Sequence, residues 1–162
     1  MVYHAQTGHL GGAFLVAEIL TYLYFHHLKI DPDCPDWPEP DRLLLSEGHA
    51  CALLYTVIAY RGFFPVEELM TFRQLGSRLQ GHPDRNNLKG IEICAGPLGH
   101  GIAMEVGMAL AQRMGVAKQS AMSAPSARSS HGRDYIILGE ARSMPGLSGK
   151  ERWLRRNTIL ET

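Results

Sequence analysis

The chain has 162 residues, as many acidic as basic side chains and a pI of about 7.1. That length supports one domain with a real core, or a section of a larger one, and the balanced charge argues against nucleic acid or an anionic membrane as the main partner. No apolar run reaches transmembrane length, and Cys34, Cys51 and Cys94 lack any CxxC spacing, which points away from a disulfide framework or zinc site and towards a reducing cytoplasm.

Met1 leads almost directly into Ala5–Gly12, AQTGHLGG, with no basic and apolar leader. The glycines predict a loop carrying His9, and an imidazole there can both donate and accept hydrogen bonds to a substrate. Phe14–Leu28 is densely apolar without a breaker and predicts a largely buried helix. His26 and His27 close it, where the negative dipole end favours them. Four prolines make Asp31–Asp41 a loop. Arg42–Leu45 predicts a short buried strand, and Ser46-Glu47-Gly48-His49 turns from it into an apolar helix over Ala50–Tyr60. A histidine at such a strand-to-helix junction sits where open α/β sheets bind ligands. Pro65, with Glu67 and Glu68 behind it, predicts a helix running to about Leu75. Gly76–Asn87 is a polar loop holding His82, which the following Pro83 keeps extended.

Ile93–Met114, ICAGPLGHGIAMEVGMALAQRM, organises the chain. Gly96, Gly99 and Gly101 predict a tight loop that opens an Ala- and Met-rich helix. The unpaired N–H groups and positive dipole end of such a helix suit a phosphate. Three Gly-His pairs precede it, at Gly8-His9, Gly48-His49 and Gly81-His82. Val116–Gly132 is rich in Ser and Ala and predicts a flexible linker. Tyr135–Leu138 predicts a second strand, and Ala141–Thr162 is basic and aperiodic. The expected organisation is a core over 1–115, a linker over 116–133, a core strand over 134–140 and an irregular tail over 141–162.

TGHLGG, LLSEGHA, FRQLGSRLQGHPD and AGPLGHGIAMEVGMALA, in this order and at these separations, resemble the N-terminal half of a transketolase. The resemblance covers Met1–Gly115 and the strand near Asp134–Gly139. It implies an α/β fold: a partial parallel sheet flanked by helices, forming the pyrophosphate domain of a thiamine diphosphate enzyme. It also implies the transfer of a two-carbon ketol unit between sugar phosphates, as in the pentose phosphate pathway. Related enzymes that make deoxyxylulose phosphate or oxidise 2-oxo acids share the architecture, and FRQLGSRLQGHP favours transketolase among them.

By the resemblance, His9 lies near the reacting oxygens of the substrate. His49 lies by cofactor and substrate, and His82 contacts substrate hydroxyls. Gly96, Pro97, Leu98 and His100 line the cofactor through the family's GPLGQG loop. Such imidazoles suit proton transfer near neutral pH, while the cofactor is the electron sink. Glu47 replaces a frequent lysine at a position expected to be peripheral, and His100 replaces the usual glutamine. The family holds the diphosphate through Mg²⁺ or Ca²⁺, on the aspartate of a GDGE motif and a later asparagine. Here the strand runs into Gly139-Glu140-Ala141-Arg142, so no metal ligand carries over.

One restored base in the codon for Glu140 permits Gly139–Thr162 to be read in another frame as GDGEKHAGAVWEGTMAAAKYNLGN, which continues the family pattern. The expectation is therefore a chain truncated or frameshifted after about Gly139. Two functions follow. One is the N-terminal section of a transketolase that needs a C-terminal section or subunit for activity, in a homo- or hetero-oligomer. The other is a non-catalytic remnant that folds partly and binds no cofactor tightly. A histidine-rich metal binder fits poorly, because the histidines are dispersed among loops without ligand spacing.

Overall fold

The computed structural model describes residues 1–34, 41–97, 100–113, 132–138 and 158–161. The expected linker falls almost wholly outside them, as does most of the expected tail. In chain order the elements are helices α1 (Val2–Ala5), α2 (Leu10–Leu15) and α3 (Ala17–Tyr22), then strand β1 (Arg42–Leu45). Helices α4 (Cys51–Arg61) and α5 (His100–Arg113) follow, and strands β2 (Asp134–Leu138) and β3 (Thr158–Glu161) complete the sheet.

The sheet order is β1-β2-β3. β1 and β2 are parallel, with Arg42 opposite Asp134 and Leu45 opposite Ile137. β3 pairs antiparallel to β2, with Leu160 opposite Ile136. A strand therefore forms within the segment that aperiodicity marks as irregular. The strand period of two sends alternate side chains to opposite faces. Leu43, Leu45, Tyr135 and Ile137 join the larger core with α3 and α4, while Leu44, Ile136 and Leu138 pack with Ile93 against Ile102 and Met108 of α5. Helices thus cover both faces, as a parallel pair of uniformly apolar strands requires.

Polar groups fix the strand starts. Asp41 accepts from the amides of Lys29 and Arg133, each at 2.9 Å. Arg42 grips the fully buried Asp134 through Nε and Nη2 at 2.5 and 2.6 Å. Past the strand ends, the Ser46 amide donates to the Ile137 carbonyl at 3.0 Å.

α4 is the hub. Cys51, Ala52, Leu54, Tyr55, Val57, Ile58 and Ala59 are all buried, so it is apolar on nearly every side, as an internal helix must be. Gly62, at φ 103°, ends it in the left-handed region and donates its amide to Ala59.

Two expectations are corrected. Phe14–Leu28 is not one buried helix: α2 ends at Val16 (φ −108°, ψ 6°), α3 restarts, and Leu23–His27 closes as a π-helical turn. The Leu28 amide reaches the Leu23 carbonyl there at 2.8 Å. Phe14, Leu15, Tyr22 and Phe25 are exposed. After Pro65, itself extended, the chain makes only a 3₁₀ segment over Val66–Thr71; Arg73, with φ 59°, ends any helical path before Leu75. Among the described residues, no helix is long and apolar enough to cross a membrane.

Candidate functional site

His9, His49 and His82 come from three loops and meet at the C-terminal end of β1. His9 is the residue before α2, in extended conformation. His49 lies in the 3₁₀ turn Gly48–Ala50 that joins β1 to α4. The two rings meet edge to face, 5.7 Å between centroids. His82 lies in the loop that precedes Pro83 and is exposed.

Two glycines allow this approach. A Cβ on Gly12 would stand 2.8 Å from both Cδ2 and Nε2 of His49. A Cβ on Gly48 would stand 2.6 Å from the Ala95 carbonyl oxygen and 2.9 Å from Cδ2 of His82. Gly48 is thus where the β1–α4 turn, the His82 loop and the Ala95–Gly96 segment touch. Gly96 also faces His82, with its Cβ position 3.9 Å from Cδ2.

The backbone around His82 is held from below by α4. Tyr55 Oη donates to the carbonyls of Gln80 and His82 at 3.0 and 3.1 Å, and Cys51 Sγ to that of Gly81 at 3.0 Å. Burial pushes the Cys51 thiol up to about 11 and the Tyr55 phenol higher still, so both remain donors at neutral pH. The Ala95 amide bonds the Pro83 carbonyl at 3.3 Å. Desolvation lowers the pKa of His82, and the nearby Arg73 cation, His9 and His49 lower it further, which favours neutral imidazole.

α5 begins beside this cluster. A Cβ on Gly101 would collide with Ser46, its Cα included at 2.9 Å, so the first turn of α5 sits directly on the end of β1. No acidic residue occupies that turn, and the positive dipole at such a helix end favours an anion.

Of the residues singled out in the sequence, the fold gathers His9, His49, His82 and Gly96. Pro97 and His100 are exposed and flank Leu98 and Gly99, which lie outside the described residues. Glu47, expected to be peripheral, is buried beside the histidine turn at 7% exposure. Among the described residues, no group of three or more His, Cys, Asp or Glu could hold a metal ion. Sequence reasoning missed Gly12, Tyr55, Cys51 and Arg73. The first carried a signal in its Gly-Gly pair, while the others act through contacts between distant segments.

Known proteins resemble the chain over most of its length. The family model for the transketolase thiamine diphosphate binding domain matches residues 1–155. The chain is 39% identical over 155 residues to a transketolase of Cereibacter sphaeroides, covering 91% of this chain and 22% of that protein. It is 47% identical over 107 residues to a 6-deoxy-6-sulfo-D-fructose transketolase subunit from a Clostridium species, covering 66% of this chain and 39% of that one. The transketolase of Leishmania mexicana superposes with a TM-score of 0.71 at 34% identity, over 86% of this chain and 20% of that one. That of Campylobacter jejuni gives 0.67 at 40% identity, over 86% and 21%. The chain therefore spans about a fifth of the length of most of these relatives. With a matching family model, a parallel β1–β2 pair flanked by helices and a fold shared with solved transketolases, the chain belongs to the transketolase thiamine diphosphate-binding domain family.

Proposed function

We propose that this chain is the N-terminal section of a cytoplasmic transketolase, which moves a two-carbon ketol unit between sugar phosphates and needs a C-terminal section for activity. The observation that carries the proposal is the meeting of three imidazoles at the end of β1, beside the start of α5. Related transketolases are solved in complex with fructose, sedoheptulose and xylulose phosphates, which supports sugar phosphates as substrates.

Thiamine diphosphate fits the residues present at its diphosphate end, where the glycine-bearing segment at Gly96 feeds the N-terminus of α5. Pro97, Leu98 and His100 complete that loop. When bound, the cofactor supplies the electron sink for the ketol unit. The histidines then handle protons. His82, held towards its neutral form, takes a proton from a sugar hydroxyl, and His9 and His49 donate to or accept from neighbouring oxygens. Gly12 leaves the room in which the His49 ring stands. For the Mg²⁺ or Ca²⁺ that would bridge to the diphosphate, the described residues offer no ligand set, and no step is assigned to it.

The need for a C-terminal section is supported by uncovered apolar surface. Phe14, Leu15, Tyr22 and Phe25, and Met104, Val106 and Leu110 of α5, are exposed. Large apolar side chains exposed in such number are expected where another part of a protein covers the surface. In the proposed organisation, 1–115 and 134–140 form the core unit, 116–133 links them, and 141–162 is a tail of which Thr158–Glu161 pairs along β2.

The decisive experiment titrates thiamine diphosphate and Mg²⁺ into the 162-residue chain by calorimetry, with and without a transketolase C-terminal section, and follows ketol transfer from xylulose 5-phosphate. Saturable Mg²⁺-dependent binding, and activity only with the C-terminal section, support the proposal. A folded chain that binds nothing in either condition establishes the second reading, a non-catalytic remnant. That reading rests on Gly139-Glu140-Ala141-Arg142 standing where the family has GDGE; the family match runs on to residue 155, which weighs against a break there. Re-sequencing the DNA across the codons for Leu138 to Arg142 tests the frameshift directly.

A further inference from the structure

Arg73 is one of two non-glycine residues with positive φ among the described residues. Its amide donates to the Leu79 carbonyl at 2.8 Å, and this left-handed turn brings the guanidinium back towards the histidines. Nη1 donates to Thr7 Oγ1 at 2.7 Å, across 66 positions of chain. The other edge lies on Gly81, whose Cβ position is 3.0 Å from Nε and 3.1 Å from Nη2. Thr7 stands two residues before His9, and Gly81 directly before His82. Phe72 supports the guanidinium from its ring face at 5.4 Å, and Tyr55 meets Phe72 edge to face at 6.1 Å. Nε is buried with no hydrogen-bond partner among the described residues. A buried, unpartnered charged donor is a net cost to stability, so fold stability alone is a poor reason for this arrangement.

We propose that Arg73 is a positioning residue: its guanidinium ties the Thr7–His9 segment to the Gly81–His82 segment and so holds the two outer imidazoles within reach of one substrate. The role of the imidazoles rests on the transketolase reading above; the tie itself is a property of the free chain. Arg73 also acts through its charge, since a cation beside His82 disfavours imidazolium. The other ionisable groups around His82 are His9, His49, Asp84 of its own loop, and Cys51 and Tyr55 of α4. Cys51 and Tyr55 stay protonated, and Asp84 is engaged by Asn86 and Cys94.

The test follows the histidine resonances of the isotopically labelled 162-residue chain against pH, with His82 assigned through His82→Gln. Arg73→Met removes tie and charge, so His82 titrates at higher pH and the His9 and His82 signals both move. Arg73→Lys keeps the charge but not the planar group that bonds Thr7 and packs on Gly81, so His82 titrates as in the parent while the signals still move. Thr7→Val, nearly isosteric and safe for folding, removes only the acceptor and reproduces the Arg73→Lys pattern. With the C-terminal section present, kcat/KM falls by about 100-fold in both Arg73→Lys and Thr7→Val, the cost expected of misplaced catalytic groups. Unchanged His9 and His82 spectra in Arg73→Met and Thr7→Val overturn the proposal. These spectra decide the matter even in a chain that binds no cofactor, so failure of the tie and failure of the transketolase reading are separate results.

Discussion

Gly12→Ala separates what the histidine site needs from what the fold needs. The added Cβ would stand 2.8 Å from Cδ2 and Nε2 of His49, whereas ordinary contact begins near ~3.5 Å. The ring must therefore retreat by about 0.7 Å. His49 is only half-buried, so the ring swings outward and the backbone stays in place. Alanine recovers up to about 1 kcal/mol of helix propensity in α2, and crowding takes back about 1–3 kcal/mol. Net stability thus changes by roughly 1 kcal/mol in either direction, while an ångström-scale displacement of a catalytic group costs about 100-fold in rate. Gly11→Ala is the control, because its Cβ meets nothing within 4 Å. The assay pairs urea denaturation with the His49 resonances and with ketol transfer in the presence of a C-terminal section. The reasoning is refuted by a Gly12→Ala chain whose His49 signals and kcat/KM match those of Gly11→Ala.

Asp134→Ala removes the buried partner of Arg42. Breaking a buried ion pair costs about 3–5 kcal/mol, and the 21% exposure of Arg42 places this case near 3 kcal/mol; a loss under about 1 kcal/mol in urea denaturation would count against the pair as the clasp of β1 and β2. Cys51, buried and with its thiol pushed up to about 11, should resist iodoacetamide at pH 8 while Cys34 and Cys94, both exposed, are alkylated; mass spectrometry of tryptic peptides reads the order, and early labelling of Cys51 contradicts its packing. His82 has a folded pKa below its unfolded value, so its contribution to stability is complete above the unfolded pKa, about 6.5, and is lost as pH falls through the folded value. The fall in stability between neutral and mildly acidic pH should be smaller in His82→Gln than in the parent, and equal slopes would show that His82 is not the group responsible.

Much of the layout is legible in the sequence because it is local. Arg42–Leu45 and Tyr135–Leu138 are short apolar runs bounded by polar residues, and both form strands. Ala50–Tyr60 is apolar throughout and becomes the internal helix. The Gly-His pairs mark three loops, and all three glycines are close-contact points: a Cβ on Gly8 would stand 2.9 Å from Val2, on Gly48 2.6 Å from the Ala95 carbonyl oxygen and on Gly81 3.0 Å from Arg73 Nε. What the sequence hides is tertiary. Apolar density in Phe14–Leu28 reads as burial, yet Phe14 and Leu15 face outward, in a chain that spans only a fifth of its full-length relatives. Phe72 (ψ 125°) and then the left-handed Arg73 end a 3₁₀ segment where propensity would carry a helix on. The Arg73–Thr7 bond joins residues whose relation no periodicity encodes. Glu47 is a charged residue that local rules place in solvent, and packing at the β1–α4 turn buries it.

The loop before His82 is gripped through its carbonyl oxygens. Tyr55 and Cys51 reach Gln80, Gly81 and His82 by main-chain atoms alone, so the grip does not depend on the identity of the gripped residues. Three residues of the loop are exceptions: Ser77 is tied to Thr71 by its hydroxyl, Gln80 donates its side-chain amide to the Ser77 carbonyl, and position 76, at φ 81°, favours its glycine. Leu75 is exposed and carries none of these ties, so sequence can drift there without moving the imidazole of His82. It is a natural grafting point, where a new side chain can be installed on the loop that leads to the histidine cluster and screened for altered sugar preference while the proton-handling groups keep their places.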